Sequence, residues 1–147
     1  MINVRDLVRR KGSRIHSVLP EATVLQALQL MAEQNIGAVL VMREDRVVGI
    51  LSERDCVRKV ELSGKTAQTT RVEDIMTSNV LYVEASQSLD ECMAVMIDKN
   101  IRHLPVYENG TLLGLISIRD VLKEVVDYQQ FMITQLEHYI SGARPVS

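Results

Sequence analysis

Two short strings in the chain carry residue types that could hold a phosphate and a sugar. In each, a serine follows a glycine after three positions, and an aspartate follows the serine after three more. If a helix begins at the serine, its free amides and partial positive charge favour a phosphate beside the hydroxyl. The aspartate, one turn further on, can accept hydrogen bonds from two ribose hydroxyls. The strings are Gly49-Ile50-Leu51-Ser52-Glu53-Arg54-Asp55 and Gly114-Leu115-Ile116-Ser117-Ile118-Arg119-Asp120.

The same spacing also fits a purely structural role. Ser-x-x-Asp is close to a capping box, in which the serine hydroxyl and the acidic side chain each accept from the other residue's backbone amide. One copy alone would favour this interpretation, because caps occur on most helices. The glycine and the arginine recur with the pair, which favours binding, although common descent of the two copies would also explain it. For Arg54 and Arg119, a solvated helix charge is an equally good explanation.

The strings belong to an internal repeat. A shift of 65 positions lays residues 18–60 over residues 83–125 without a gap, and such self-similarity points to a duplicated unit. A similar lead-in, residues 4–8 and residues 72–76, precedes each copy. Two similar units within a single-domain length suggest two halves packed about a pseudo-twofold axis, because neither alone has enough core.

Within each copy the hydrophobic pattern changes in a fixed order. Capped amphipathic stretches alternate with short β-branched runs, and Asn109-Gly110 is a strong hairpin signal. The fold class is therefore α/β, with two repeats that are each roughly β-α-β-β-α. The predicted elements are strands at 15–18, 36–42, 47–51 and 80–83, hairpin turns at 43–46 and 108–111, and helices that begin near Thr23, Ser52, Ser88 and Ser117.

The last helix is predicted to extend beyond its counterpart. Apolar residues fall near helical period from Val121 to Ile140, whereas the first-copy helix ends by residues 62–64. The extension past Asp127 would pack against a partner chain or back across the first copy. The predicted division is 1–64 for the first repeat with its lead-in, 65–71 for a polar linker, 72–126 for the second repeat and 127–147 for a helical extension and tail.

Composition excludes several classes of protein. The 147 residues are 46% hydrophobic and 24% charged, which are ordinary globular values. A net charge of −2 and the absence of tryptophan disfavour a nucleic-acid partner, which needs basic patches and aromatic platforms. The longest apolar run, residues 36–42, is far shorter than the roughly 18 residues of a membrane-spanning helix. We expect no nucleic-acid partner, no membrane insertion and a cytoplasmic location.

No constellation typical of catalysis is visible. The chain offers no supported Ser/His/Asp order, no Cys or His pair at metal-ligand spacing and no phosphate-cradling glycine loop. Cys56 and Cys92 lie far apart and are expected to be small buried hydrophobes in a reducing compartment. We therefore expect a protein that is not an enzyme, with no metal and no catalytic cofactor.

Together these motifs resemble the cystathionine β-synthase (CBS) domain, and the chain resembles a stand-alone, bacterial-type tandem CBS pair, or Bateman module. The resemblance covers about residues 4 to 126. It implies two related clefts between the repeats that bind AMP, ADP, ATP, S-adenosylmethionine or NAD(H) and report to a partner, without catalysis. The resemblance rests on the doubled Gly-x-x-Ser-x-x-Asp, the lead-ins Val4-x-Asp6-Leu7 and Val72-x-Asp74-Ile75-Met76-Thr77, and the string Ile101-Arg102-His103-Leu104-Pro105-Val106.

The resemblance also implies which positions bind. Ser117 and Asp120 would hold phosphate and ribose in one cleft, with Leu115 and Arg119 nearby. The adenine there would lie against Ile15, His16, Ile36, Gly37 and Ala38. Ser52 and Asp55 would serve the other cleft, with Ile50 and Arg54 nearby and with Val80, Leu81 and Ile101 on the base side. Arg102 and His103 match positions that reach phosphates in similar proteins.

The two clefts are not expected to be equivalent, because Gly37 and Ala38 stand where the second copy has Arg102 and His103. Small residues there would admit a larger ligand such as a dinucleotide, or would mark a cleft that binds weakly. His103 alone would also fit a strand-edge histidine bonded to backbone, but beside Arg102 the phosphate contact is favoured.

Two functions from different classes follow. The first is a regulatory nucleotide sensor, whose ligand must bind two conformations with different affinity in order to signal. The alternative is a structural, dimerising protein-interaction module with vestigial clefts and an unidentified protein partner. The intact serine and aspartate in both copies favour the sensor. A homodimer is expected in either case, since twofold dimers are the commonest oligomers.

Overall fold

The computed structural model describes residues 2–12 and 14–142, which form two compact units. The first unit is Arg14–Leu81, and the second unit consists of residues 82–142 together with residues 2–12. In chain order the helices and strands are α1 (Val4–Lys11), β1 (Ser17–Val18), α2 (Val24–Gln34), β2 (Ala38–Arg43), β3 (Arg46–Ser52), α3 (Glu53–Cys56) with a π-helical continuation (Val57–Glu61), α4 (Val72–Ile75), β4 (Val83–Glu84), α5 (Leu89–Lys99), β5 (His103–Glu108), β6 (Thr111–Ser117) and α6 (Ile118–Ile140).

Each unit contains one three-stranded sheet with the same topology. A short strand, β1 or β4, pairs in parallel with the first strand of an antiparallel hairpin, β2-β3 or β5-β6. The β-α-β-β-α order recurs in both repeats, so the predicted α/β fold class is confirmed. The short strands are predicted at 15–18 and 80–83; β1 comprises only the last two residues of the first run, and β4 begins at the last residue of the second run.

Local signals explain where the elements begin and turn. Thr23 and Ser88 cap α2 and α5 as predicted, each accepting from the amide three residues later. Both helices end at an asparagine in the left-handed conformation, Asn35 and Asn100. In the second hairpin Asn109 and Gly110 have φ of 51° and 79°, as a type I′ turn requires.

The lead-in helices lie in the unit of the other repeat. The apolar side of α1, with Val4, Leu7 and Val8, is buried in the core of the second unit. Val72 and Ile75 of α4 are buried in the core of the first unit. The compact units therefore do not coincide with the predicted division of the chain, which kept residues 1–64 and 72–126 together, because each lead-in buries its apolar face against the other repeat.

The segment predicted as a polar linker, residues 65–71, packs on the first unit. The carbonyl groups of Ala67 and Thr70 accept from the amides of Leu25 and Val24 at the beginning of α2, at 3.1 and 2.9 Å. Thr70 is itself buried, and its hydroxyl donates to the carbonyl of Thr66 at 2.7 Å. The segment thus satisfies helix amides that would otherwise lack partners.

Each unit has an aliphatic core of its own. Met31 and Met96 are buried at equivalent positions of the two cores. Cys56 and Cys92 are buried and unpaired with each other, and burial raises the pKa of each thiol to about 11. The prediction that both cysteines are small buried hydrophobes is confirmed.

The helix α6 extends well beyond the core of the second unit. Val121 is fully buried and Val125 packs partly buried against the core, whereas the other large apolar side chains from Leu122 onward are exposed. No helix in the described part of the chain is long and apolar enough to cross a membrane. The exposed apolar residues of the helix are Leu122, Val126, Tyr128, Phe131, Met132, Ile133, Leu136, Tyr139 and Ile140.

Candidate functional site

Both Ser-x-x-Asp strings form capping boxes at the start of a helix. In the second unit the amide of Asp120 donates to Ser117 Oγ at 3.1 Å, and the amide of Ser117 donates to Asp120 Oδ2 at 2.8 Å. Ser52 and Asp55 make the same two bonds at 3.1 Å each. The structural interpretation of the strings is confirmed at both copies.

The capping boxes leave binding capacity unused. Each serine hydroxyl accepts one bond and retains its own proton as a donor. Asp120 accepts both of its bonds on Oδ2, and within residues 2–12 and 14–142 no group donates to its Oδ1. A cap and a contact to phosphate and ribose are therefore compatible at this site.

His103 lies directly across the sheet from Ser117. The two residues are register partners in the antiparallel β5-β6 pair, so their side chains lie on the same face. Burial lowers the pKa of the His103 imidazole, Lys11 and Arg102 lower it further, and Asp120 partly offsets these effects. The pairing places an imidazole beside the hydroxyl that the sequence assigns to phosphate.

In the first unit Ala38 occupies the position across from Ser52, so the site there has no imidazole. The residues just before His103 and Ala38 make the same backbone bond in the two units. The carbonyl of Arg102 accepts from the amide of Ile118, and the carbonyl of Gly37 accepts from the amide of Glu53. The backbones of the two sites are therefore matched, and the difference between them lies in the side chains. The inequivalence of the two clefts stays a prediction.

Lys11, at the end of α1, bonds directly to the second unit's string. Its ammonium donates to Asp120 Oδ2 at 2.8 Å and to the carbonyl of Leu115 at 2.9 Å. Burial raises the pKa of the Asp120 carboxyl, but the bonds from Lys11 and Ser117 outweigh this, and the pKa lies below its usual value. Asp120 is therefore held as a carboxylate, the form that accepts hydrogen bonds from a ribose.

In the first unit Lys59 approaches the aspartate of the string, and it stands four residues after that aspartate in the chain. Its ammonium lies 3.5 Å from Asp55 Oδ1 and donates to the carbonyl of Ile75 at 2.9 Å. The equivalent position in the second repeat is Glu124, whose carboxylate pairs with Arg10 of α1 at 2.8 Å. A lysine thus neutralises the aspartate in both units, although it comes from a different element in each.

Sequence reasoning missed both lysines. Lys59 stands four residues after Asp55, a helical spacing that could have identified it. Nothing in local spacing points to Lys11, which lies 109 positions before Asp120. The arginines after the serines behave as solvated charges: Arg54 and Arg119 are exposed, and neither forms an ion pair with another residue in the described ranges.

The remaining predicted residues are divided between the units. Because the expected groupings combine residues of both units, they stay predictions. Ile36 and Ile101 are partly buried against the core of their own unit, and Ala38 is fully buried. The first unit holds Ile15, His16, Ile36, Gly37, Ala38, Ile50, Val80 and Leu81, and the second unit holds Ile101, Arg102, His103, Leu115 and Arg119.

An apolar groove of about 420 Å³ lies beside the first unit's string but does not include its serine or its aspartate. The groove runs between α2 and the π-helical segment, and carboxylates of Glu53 and Glu61 stand among its lining residues. Its lining offers no hydroxyl or cation for a phosphate, so the groove is separate from the candidate site. In the described ranges no group of three His, Cys, Asp or Glu residues could hold a metal ion.

Comparison with protein families identifies both repeats. A family model described as the CBS domain matches residues 2–62 and 72–127. The mitochondrial CBS domain-containing protein CBSX3 of Arabidopsis thaliana is 30% identical over 148 aligned positions, which span 95% of this chain and 72% of that protein.

Solved structures share the fold across most of the chain. A proposed signal-transduction protein with CBS domains from Burkholderia ambifaria is 46% identical, with a TM-score of 0.83 over 86% of this chain and 95% of that one. The hexameric CBS-CP12 protein of bloom-forming cyanobacteria is 28% identical, with a TM-score of 0.73 over 83% of this chain and 70% of that one.

Proposed function

This chain belongs to the CBS domain family, and from that premise we propose that it is a regulatory module that binds adenosine-containing nucleotides through its two Ser-x-x-Asp strings. Proteins of this family are generally regulatory or signalling modules. AMP, ADP, ATP or NAD(H) are the ligands proposed here, and no catalytic step is assigned to the chain.

The observation that carries the proposal is the arrangement around Ser117. A hydroxyl at the beginning of a 23-residue helix stands across from His103, and the carboxylate of Asp120 keeps Oδ1 available. The helix N-terminus and the hydroxyl suit a phosphate. The open carboxylate oxygen suits the ribose hydroxyls, and its lowered pKa keeps it ionised.

Signalling requires that the ligand distinguish two states of the protein. A ligand shifts a conformational or association equilibrium only by the difference between its affinities for the two states. Because the site begins α6, ligand contacts at Ser117 and Asp120 act on the helix that carries the exposed apolar stripe. We therefore propose that α6 transmits the nucleotide signal to a partner surface.

A thermal-shift panel on nucleotide-stripped protein tests the proposal, with AMP, ADP, ATP, NAD, NADH and S-adenosylmethionine as ligands. A ligand at a hundred times its Kd adds about 2.7 kcal/mol to the free energy of unfolding. We expect selective stabilisation by one or two of these ligands, reduced in Asp120→Asn and retained in Asp98→Asn, which changes an exposed carboxylate on α5. Absence of any shift at millimolar ligand would refute nucleotide binding.

The second candidate function is the protein-interaction module, and the exposed stripe of α6 favours it. Apolar side chains continue for about five helical turns after Val121 without being buried. A contiguous exposed apolar face of this kind marks an interaction site. We propose that this surface supports a homodimer, and the hexameric assembly of the cyanobacterial relative supports self-association in general.

A further inference from the structure

The backbone carbonyl three residues before the start of α3 or α6, that of Ile50 or Leu115, has a different partner in each unit. In the first unit the chain after α4 is extended, and Thr77 exchanges two backbone bonds with Ile50, at 2.9 and 3.0 Å. In the second unit α1 continues for eight residues, and the ammonium of Lys11 bonds to the carbonyl of Leu115 instead. The second unit therefore presents a cation where the first presents a backbone amide.

The ammonium of Lys11 has one donor left for a ligand. A lysine carries three N–H donors, and Lys11 uses one on Leu115 and one on Asp120. Among the described residues none accepts the third. The side chain is 37% exposed and that of Asp120 is 26% exposed, so a bound molecule can reach both.

The charges around the two strings differ in balance. Near Asp55 there are two basic residues, Arg54 and Lys59, and a second acid, Glu53. Three basic residues belong to the second unit's site, one by its bond to Asp120 and two by their sequence positions, and Ile118 stands where the first string has Glu53. Glu124, the other acid on this part of α6, is already paired with Arg10. The three basic residues of the second unit's string are Lys11, Arg102 and Arg119.

We propose that Lys11 is an additional binding residue of the second unit's site and gives that site its preference for nucleotides with two or three phosphates. The inference rests on the proposed function, since it takes the Ser117 string as the nucleotide site. The remaining N–H of Lys11 donates to a phosphate oxygen, while Asp120 Oδ1 accepts from the ribose. Lys11 also screens the Asp120 carboxylate, which would otherwise repel the phosphates.

The first unit's site is expected to prefer ligands with less charge. Lys59 lies beside Asp55, but the first unit has Glu53 where the second has Ile118, and it has Gly37 where the second has Arg102. Ala38 stands where His103 would add a donor. Adenosine, AMP or another ligand with one phosphate fits this balance better than ATP.

The test compares Lys11→Met with two matched variants of the full chain. All are made in a Ser52→Asp background, which keeps a capping residue but places a carboxylate at the first unit's phosphate position. Lys11→Arg retains the cation, and Arg9→Gln removes an exposed cation of α1 while leaving the pair between Arg10 and Glu124 intact. Isothermal titration measures the Kd of adenosine, AMP, ADP and ATP for each protein.

Loss of one charge-assisted hydrogen bond predicts that Lys11→Met weakens ATP binding by roughly tenfold or more and leaves adenosine binding within about twofold. Lys11→Arg should restore most of the ATP affinity, and Arg9→Gln should bind as its parent does. Equal weakening of ATP and adenosine, or unchanged ATP binding, overturns the role of Lys11 but leaves the proposed function intact. If neither the wild-type chain nor its variants bind any of the four ligands, both proposals fail.

Discussion

Met76 packs over Gly49 so closely that its side chain fills the place of a β carbon on the glycine. The second unit repeats the relationship, with Val8 Cγ1 3.2 Å from the position of a β carbon on Gly114. The absence of a side chain at Gly49 and at Gly114 therefore allows the lead-in of the other repeat to pack closely against each strand. The recurrence of the glycine, which favoured binding in the sequence, has a packing cause.

Gly49→Ala should destabilise the protein by about 1–3 kcal/mol, the usual effect of an added methyl group in a full site. The new β carbon would meet the Met76 side chain and lie 3.2 Å from the carbonyl oxygen of Thr77. Gly114→Ala is the matched control and should cost less, because it meets one methyl group of Val8. Urea denaturation followed by circular dichroism measures both, and a Gly49→Ala protein as stable as wild type would contradict the packing argument.

Substitution of Ser117 can separate its capping role from its binding role. Aspartate is also a good N-cap, so Ser117→Asp should remain within about 1 kcal/mol of wild-type stability. Its carboxylate would occupy the phosphate position, and nucleotide affinity should fall by roughly tenfold or more. Ser117→Ala should lose about 1 kcal/mol of stability as well as affinity.

Thermal unfolding and titration calorimetry give the two readouts for the Ser117 variants. The expected pattern is that the aspartate variant is stable but does not bind well. If Ser117→Asp binds nucleotide as tightly as wild type, the serine acts only as a cap.

The stability of the second unit should depend on the protonation of His103. Burial, Lys11 and Arg102 lower the pKa of this imidazole, against the opposing effect of Asp120. The unfolded chain therefore binds the proton more readily than the folded chain, and stability falls as the pH decreases through the unfolded value of about 6.5. Above that pH the contribution is fully present.

Urea denaturation between pH 7.5 and 5.5 tests this dependence by comparison with His103→Gln. We expect wild type to lose more stability over this range than the variant, since glutamine does not titrate. Parallel pH profiles for the two proteins would show that the surroundings of His103 do not disfavour its charged form.

Self-association through α6 should require its exposed apolar stripe. Leu136→Asp places a charge in the stripe, and burying that charge in an interface is costly. Thr134→Asp adds the same charge on the other side of the helix and should leave association unchanged. Sedimentation velocity at roughly 10 to 100 μM, a range in which complexes with a micromolar Kd are populated, should show wild type above its monomer mass of 16.6 kDa. Self-association of Leu136→Asp should be at least about tenfold weaker.

Two results would contradict the α6 interface. One is a wild-type protein that sediments only as a 16.6 kDa monomer at the higher concentration. The other is an equal effect of Leu136→Asp and Thr134→Asp, which would indicate that added charge acts on the helix rather than on an interface.

The sequence alone determined the elements, because their signals act between near neighbours. Caps at Thr23, Ser88 and Ser117 depend on residues three positions apart, and the turn at Asn109-Gly110 depends on backbone conformations available to those two residues. The duplication was visible because both copies kept the same order of elements. The family and the fold class followed from these local patterns.

Only the tertiary structure decided which residues meet at the strings. Lys11 and Asp120 are 109 positions apart, and no spacing rule links them, because their contact depends on the path by which α1 joins the second repeat. The strand register places His103, which the sequence predicts to contact a phosphate, across from the capping residue Ser117. Close packing of the lead-ins explains why glycine stands at positions 49 and 114. Local propensity acts over a few residues and selects the elements, whereas burial of apolar faces between distant segments determines their neighbours.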